Sequence, residues 1–279
     1  MSGFQAIVIE DSVSEQGARL TTLQLRYPRF IHAEFMTHRV FSRNASSSRA
    51  IPVAKMIEQV RNEPAMPVHW GKNMPGMQAK EELDGLPLAL VKDAWFAAAQ
   101  NAANAAEFLM NRGAHKQIAN RLLESFQWIS VVVTATEWAN FFELRDHPDA
   151  QPEIQHLAKL MRAAMDGSKP ALRKRDRLNA FAWHLPYVSL EERIAFMEKP
   201  PLLAKASAAR SARVSYLKHD GTNPSIEDDL KLYERLVGSR PLHASPVEHQ
   251  GYPLPLANQW DKNFKGWRQH RSLVEQEIF

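Results

Sequence analysis

The chain has 279 residues, 44% of them hydrophobic and 24% charged, the make-up of a globular protein able to bury a substantial core. Its net charge of +4 favours anionic ligands but is too small an excess to argue for DNA. It contains no cysteine, which excludes disulfides, thiolate metal sites and cysteine nucleophiles.

The opening MSGFQAIVIEDS has neither a basic start nor a long apolar run, so no secretory signal is expected there. Residues 128–135 are the most apolar stretch and are too short to cross a bilayer. Both readings fit a cytoplasmic protein, which needs no disulfides.

Residues 4–10 alternate and are rich in β-branched side chains, predicting a strand, and 19–26 predict a second, with Gly17 in the turn between them. Pro28 opens a helix, since the N–H that proline lacks is one the first turn leaves unpaired. Phe30, Ile31, Ala33, Phe35 and Met36 are its candidate buried side. Residues 37–49 then place Thr37, His38, Arg39, Ser42, Arg43, Asn44, Ser46, Ser47, Ser48 and Arg49 in a loop of hydrogen-bond donors. A helix running into such a loop suits a phosphate, whose oxygens hydroxyls and guanidinium groups grip in fixed geometry. The same composition also suits a solvated surface loop.

Residues 53–60 predict a helix, and 62–77 a Pro/Gly/Met-rich loop of a length that compact proteins use as a cover or a site. Within it His69 and Trp70 suit either stacking on a ring or surface packing. An alanine-rich helix over 88–112 stops at Gly113, and 116–123 continue helically. Residues 126–134 have the β-branched content of a buried strand. A short helix over 137–144 carries Asn140, with Arg145 just past its end, and Pro152 opens a helix over 153–165 closed by Gly167.

The basic run Lys169, Arg173, Lys174, Arg175 and Arg177 reads as a solvated connection, and nucleic acid is not an expected partner. Ser189 and Glu192 form a capping box before a helix over 193–198, which Pro200 and Pro201 break. Further helices are predicted over 202–212 and, capped by Ser225, over 226–237. His243 and His249 lack the spacing of a zinc pair, so no metal site is expected.

Three segments together resemble the flavin-dependent thymidylate synthases. The first is His38-Arg39, seven residues, then Ser47 with Arg49 two places on, which is similar to that family's Arg-His-Arg signature except that Thr37 replaces its first Arg. The second is 133–155, VTATEWANFFELRDHPDAQPEIQ, with Asn140, Arg145, Gln151 and Glu153 on the family pattern. The third, ARSARVSY (209–216) and LHASPVEH (242–249), resembles motifs that precede the signature in the family but follow it here. A second His-Arg, His270-Arg271, lacks the downstream Ser and reads as a structural mimic.

The resemblance implies an α+β fold, an antiparallel sheet flanked by helices with the motif order permuted, in one domain. Its parts would be 1–167 with the signature, 168–204 as linker and helices, and 205–279 as the displaced flavin-site part. It implies Ser47, Ser48, Arg49, Arg121 and Arg145 on the nucleotide, with Arg145 and Ser47 catalytic. It implies His38, Arg39, Val40, Asn140, Arg213, Ser215, Glu248 and His249 on the flavin. Glu34 stands where the family has Gln, and a carboxylate accepts from the amine of cytosine, which adds Glu34 to the base-reading residues.

The activity implied is transfer of a one-carbon unit from methylenetetrahydrofolate to C5 of a pyrimidine deoxynucleoside monophosphate. The first expectation is dUMP to dTMP, with FAD reduced by NADPH, in a homotetramer. Absence of cysteine is compatible, because a flavin route needs no protein nucleophile. The alternatives are dCMP as substrate, hydroxymethylation in place of methylation, and, from another class, a non-catalytic nucleotide- or nucleic-acid-binding protein.

Overall fold

A computed structural model describes residues 3–214, 224–238 and 240–278. Strands β1 (Gln5–Ser14) and β2 (Arg19–Pro28) pair antiparallel through a turn at Gly17, whose φ of +85° would strain a side chain. After a 3₁₀ turn over Arg29–Ile31 come α1 (His32–Phe35), β3 (Ser42–Ala45), α2 (Val53–Asn62), α3 (Gly85–Asn111) and α4 (Lys116–Ala119). Then follow β4 (Trp128–Ala135), α5 (Ala139–Arg145), α6 (Pro152–Asp166) and β5 (Ala171–Arg173). The sheet runs β3-β4-β2-β1-β5, antiparallel throughout except for β5 beside β1.

The two faces of this sheet differ in chemistry. Leu23, Leu25 and Tyr27 of β2 and Ile129, Val131 and Val133 of β4 lie on one face with Phe35, Phe41, Phe141 and α6's Ile154, Leu157 and Met161. On the other face Ser12, Thr22 and Thr134 are wholly buried beneath the later part of the chain. A β-bulge in β1 sets this division, because the register with β2 shifts by one residue between Val8 and Glu10. Val8 packs against the apolar core, whereas Glu10 reaches two arginines, Arg173 of β5 and Arg193 of the later segment.

That segment comprises α7 (Leu190–Ala195), α8 (Pro200–Arg213), α9 (Ile226–Leu236), the short strands β6 (Gly251–Pro253), β7 (Trp260–Asp261), β8 (Phe264–Lys265) and β9 (Trp267–Gln269), and α10 (His270–Ile278). A line of hydrogen bonds joins it to the sheet. His184 bonds Ser12 through Nδ1 at 2.9 Å and Thr22 through Nε2 at 2.8 Å, Thr22 meets Thr134 at 2.7 Å, and Thr134 meets His249 Nδ1 at 2.8 Å.

Several sequence expectations change here. Ser42–Ala45 is an edge strand, not part of a loop; its backbone pairs with β4 from Ser42 opposite Thr134 to Ala45 opposite Val131, and the partner strand overrides weak local propensity. The basic run is not a solvated connection throughout, since β5 lies in it and Arg173 bonds Glu10 at 2.9 Å and Ser12 at 3.2 Å. The helix after Pro28 is shorter than its apolar residues suggested, with Ile31 and Phe35 buried but Phe30 and Met36 exposed. Pro200 opens α8 rather than only closing the helix before it, and Arg145 is the last residue of α5. The capping box of Ser189 and Glu192 forms as expected.

Candidate active site

The turn after α1 and the helix α5 meet at the end of β3 where the chain enters it. Arg43 of β3 holds this turn from below, donating to the carbonyls of Met36 at 2.9 Å and His38 at 3.1 Å. The turn rests on aromatic rings: His38 sits edge-on to Phe141 at 4.9 Å and over Phe41 at 5.7 Å, and Phe41 packs on Trp138 at 4.7 Å. Both supports are local consequences of sequence, since Phe141 is four residues before Arg145 on the same helix.

Arg145 is thereby brought against the signature. Its Nε donates to His38 Nε2 at 3.0 Å, one terminal nitrogen bonds Glu34, and the other reaches Thr37 Oγ1 at 3.3 Å. Accepting at Nε2 requires a neutral His38, and burial together with the nearby Arg145 and Arg43 charges lowers its pKa to about 4. A cleft of about 740 Å³ opens beside this cluster, walled by Val40, Asn140, Leu144 and Trp260, with Arg39 at its edge. Val40, Leu144 and Trp260 each expose two fifths or more of their surface there.

His38, Arg39, Val40, Asn140 and Arg145, drawn from two separate segments of sequence, therefore line one cleft. Glu34 joins them in a different role from the one its carboxylate suggested. It pairs with Arg145 through Oε1, which orients the guanidinium, while its second carboxylate oxygen has no partner among the described residues. Ser47, Ser48 and Arg49 lie past the other end of β3, where Asn120 holds the Ser48 carbonyl at 2.7 Å. Five residues of extended chain separate Ser42 from Ser47, on the order of 16 Å.

The remaining candidates are engaged elsewhere. Arg121 pairs with Glu124 on the surface at 2.9 Å, three residues along the same turn of helix. Arg213 bonds the wholly buried Asp229, which also holds Arg210 at 2.7 Å, so its guanidinium serves helix packing. Glu248 bonds Arg271 at 2.6 Å, uniting two of the C-terminal motifs with each other. His249 is wholly buried in the hydrogen-bonded line to Thr134, with a pKa lowered to about 3 by burial. Ser215 lies outside the described residues. Gln151 caps α6 and Glu153 accepts from the Val68 N–H at 2.7 Å, both structural roles. His69 likewise folds onto its own loop, meeting the Ala79 carbonyl at 2.5 Å.

Sequence reasoning did not single out Glu143, Leu144 or Trp260 as cleft residues. The first two were findable, because Asn140, Glu143 and Leu144 recur at helical spacing on α5. Trp260 comes from a hairpin more than a hundred residues later, with no local signal.

A mixed sheet of this order, flanked by helices, thus carries an Arg–His–Glu cluster beside its cleft. Residues 14–171 match the family model described as thymidylate synthase complementing protein, and the chain belongs to that family. Among solved structures it is similar to a UMP/dUMP methylase, PolB from Streptomyces cacaoi. The form bound with 5-Br dUMP is 18% identical at a TM-score of 0.50, covering 59% of this chain and 90% of that one. The form bound with 5-Br UMP is 19% identical at the same TM-score, covering 59% and 89%. No curated protein matches. The family match ends at residue 171, short of both displaced motifs, so their permutation stays a reading of their sequence.

Proposed function

We propose that this protein transfers a one-carbon unit from methylenetetrahydrofolate to C5 of a pyrimidine nucleoside monophosphate, dUMP before all others, with NADPH as reductant of a bound FAD. The observation that carries the reading is the Arg145–His38 hydrogen bond at 3.0 Å, which joins the two motifs most characteristic of the family. The methylase PolB, solved with 5-Br dUMP and with 5-Br UMP, supports a uracil nucleotide as substrate. Glu34's pairing with Arg145 gives its carboxylate a role that does not depend on cytosine, so dUMP stands first and dCMP second.

The cleft suits a flavin: a planar ring finds apolar walls in Val40, Leu144 and Trp260, and Arg39 and Asn140 offer a cation and an amide to its polar edge. When bound, FAD would supply the hydride, a route that calls for no cysteine nucleophile on the protein. Arg145 keeps one N–H on each terminal nitrogen beyond the bonds described, and these are placed to hold a pyrimidine oxygen as charge develops on it. Neutral His38 fixes the guanidinium plane from Nε, and Glu34 balances its charge while the site is empty of anion.

Ser47 and Arg49 would hold the phosphate. Their separation from Arg145 within one chain supports a site completed between copies, in keeping with a homotetramer. The outer side of α3 supports association too, for Leu86, Leu90, Phe96 and Phe108 are all exposed along it.

The test is assay with dUMP, methylenetetrahydrofolate, NADPH and FAD, with product identified by mass. Arg145→Ala loses a charge-assisted bond worth about 2–4 kcal/mol in the transition state, a fall of roughly a hundredfold or more. Co-expressed with Arg49→Ala, also inactive alone, it regains part of the activity, because mixed oligomers contain some sites with both arginines. Full turnover by Arg145→Ala would overturn the assignment, and absent complementation would put the whole site in one chain.

A further inference from the structure

A second cleft, of about 510 Å³, lies entirely in the part of the chain beyond the family match and shares no residue with the first. Arg175, Arg177 and Arg268 line it with Tyr252, Leu178 and the Pro-Leu-Pro run 253–255. Arg268 and Tyr252 face each other directly across β9 and β6, so their side chains stand together on one side of that ribbon. Trp183 packs against Tyr252 at 4.8 Å and fixes its ring.

The charge in this cleft is unbalanced. Asp176 is its single carboxylate, and one of its oxygens is turned back onto the Leu178 N–H at 3.0 Å. Asp261 reaches Arg268 at only 3.4 Å and also accepts from the Gln269 N–H and from Ser272. Arg175 and Arg177 are exposed and make no ion pair among the described residues. Three arginines lining one cleft with a held aromatic ring and an apolar wall match a ligand with two parts: a phosphate for the arginines and a planar base for the tyrosine. The volume suits one nucleotide rather than a tract.

We infer that this cleft is a second nucleotide site, separate from the candidate active site and built by the segment after residue 171. AMP serves as the probe, with adenosine and inorganic phosphate as half-ligands, titrated calorimetrically into the full chain. Wild-type protein should bind AMP, and bind each half-ligand at least tenfold more weakly. Arg175→Ala/Arg177→Ala should weaken AMP at least tenfold while unfolding at the same temperature, since both side chains are free of ion pairs. Tyr252→Leu should lose the preference for AMP over phosphate, and Arg145→Ala should leave AMP binding unchanged. Equal AMP affinity in the double-arginine variant, or loss of AMP binding in Arg145→Ala, would overturn the inference. So would much tighter binding of a 12-nucleotide single strand, lost in the same arginine variant, because the occupant would then be nucleic acid.

Discussion

Arg145 has all three nitrogens engaged on the protein side, by His38, Glu34 and Thr37, before any substrate arrives. Two roles of one partner, the charge and the acceptor of Glu34, can be separated by substitution. Glu34→Gln keeps an acceptor for the guanidinium but removes a negative charge from the place where an anionic nucleotide binds. Its KM for dUMP should fall several-fold with kcat within about twofold. Glu34→Ala leaves no acceptor, so Arg145 loses its orientation and kcat should drop by an order of magnitude or more. Steady-state kinetics of the two variants decide the matter, and wild-type values in both would show Glu34 to be incidental. Neither substitution should alter the choice between uracil and cytosine. Sequence named every member of this cluster, Thr37 as the departure from the signature, but not the bonds among them. Glu34 and Arg145 are 111 positions apart, and only the packing of α5 on the turn after α1 brings them together.

At the scale of elements, the bulge in β1 does more than bend a strand. It turns Glu10 away from the apolar core, where its carboxylate takes Arg193 at 2.6 Å, Arg173 at 2.9 Å and the Leu185 N–H at 2.9 Å. All three charged side chains are nearly or largely buried. Glu10→Gln would leave two guanidinium groups without a counter-charge and should cost about 3 kcal/mol, read from urea unfolding. A loss under about 1 kcal/mol would mean that water reaches these arginines. Alternation in sequence shows the strand only as far as residue 10, because Asp11, Ser12 and Ser14 break the apolar pattern. Those polar residues belong to the strand's second half, which lies against a polar partner rather than an oily one. The same reason hid β3, whose serine and asparagine are strand residues only because β4 supplies the ladder.

Across the whole molecule, the alternating and helical periods made the sheet and most helices legible, whereas the duty of charged motifs was not. Arg213, Glu248 and His249 are of the types that bind ligands, and the same types also lock a protein to itself; Asp229, the partner of Arg213, carries no mark in sequence, and Arg271, marked there only as a structural mimic, is the partner of Glu248. His249 and His184 sit at two points on the line of hydroxyls and imidazoles that fastens the later segment to the sheet. Burial holds both neutral far below the ordinary histidine range, and the Arg173 and Arg193 charges push His184 the same way, opposed only by Asp11. An unfolded chain protonates these rings near pH 6.5, so their contribution is complete above that value. As pH falls below about 6.5 stability drops, by up to about 1.4 kcal/mol per pH unit for His249 down to about pH 3, and in the same direction for His184. The opposite face also holds imidazoles whose pKa is lowered to about 4, His32 bonded to Tyr27 and His38 packed on Phe41 and Phe141, but there the strands meet the helices through leucine, valine and phenylalanine rather than through those rings. Mild acid should therefore work as a zip-fastener that opens on the hydroxyl side ahead of the apolar one: the later segment lifts first, and a folded sheet with its hydroxyl face newly wet persists to lower pH. Hydrogen exchange near pH 4.5 should find β6 and β9 unprotected while β2 and β4 still resist, and simultaneous loss of protection in all four would show that the two halves melt as one.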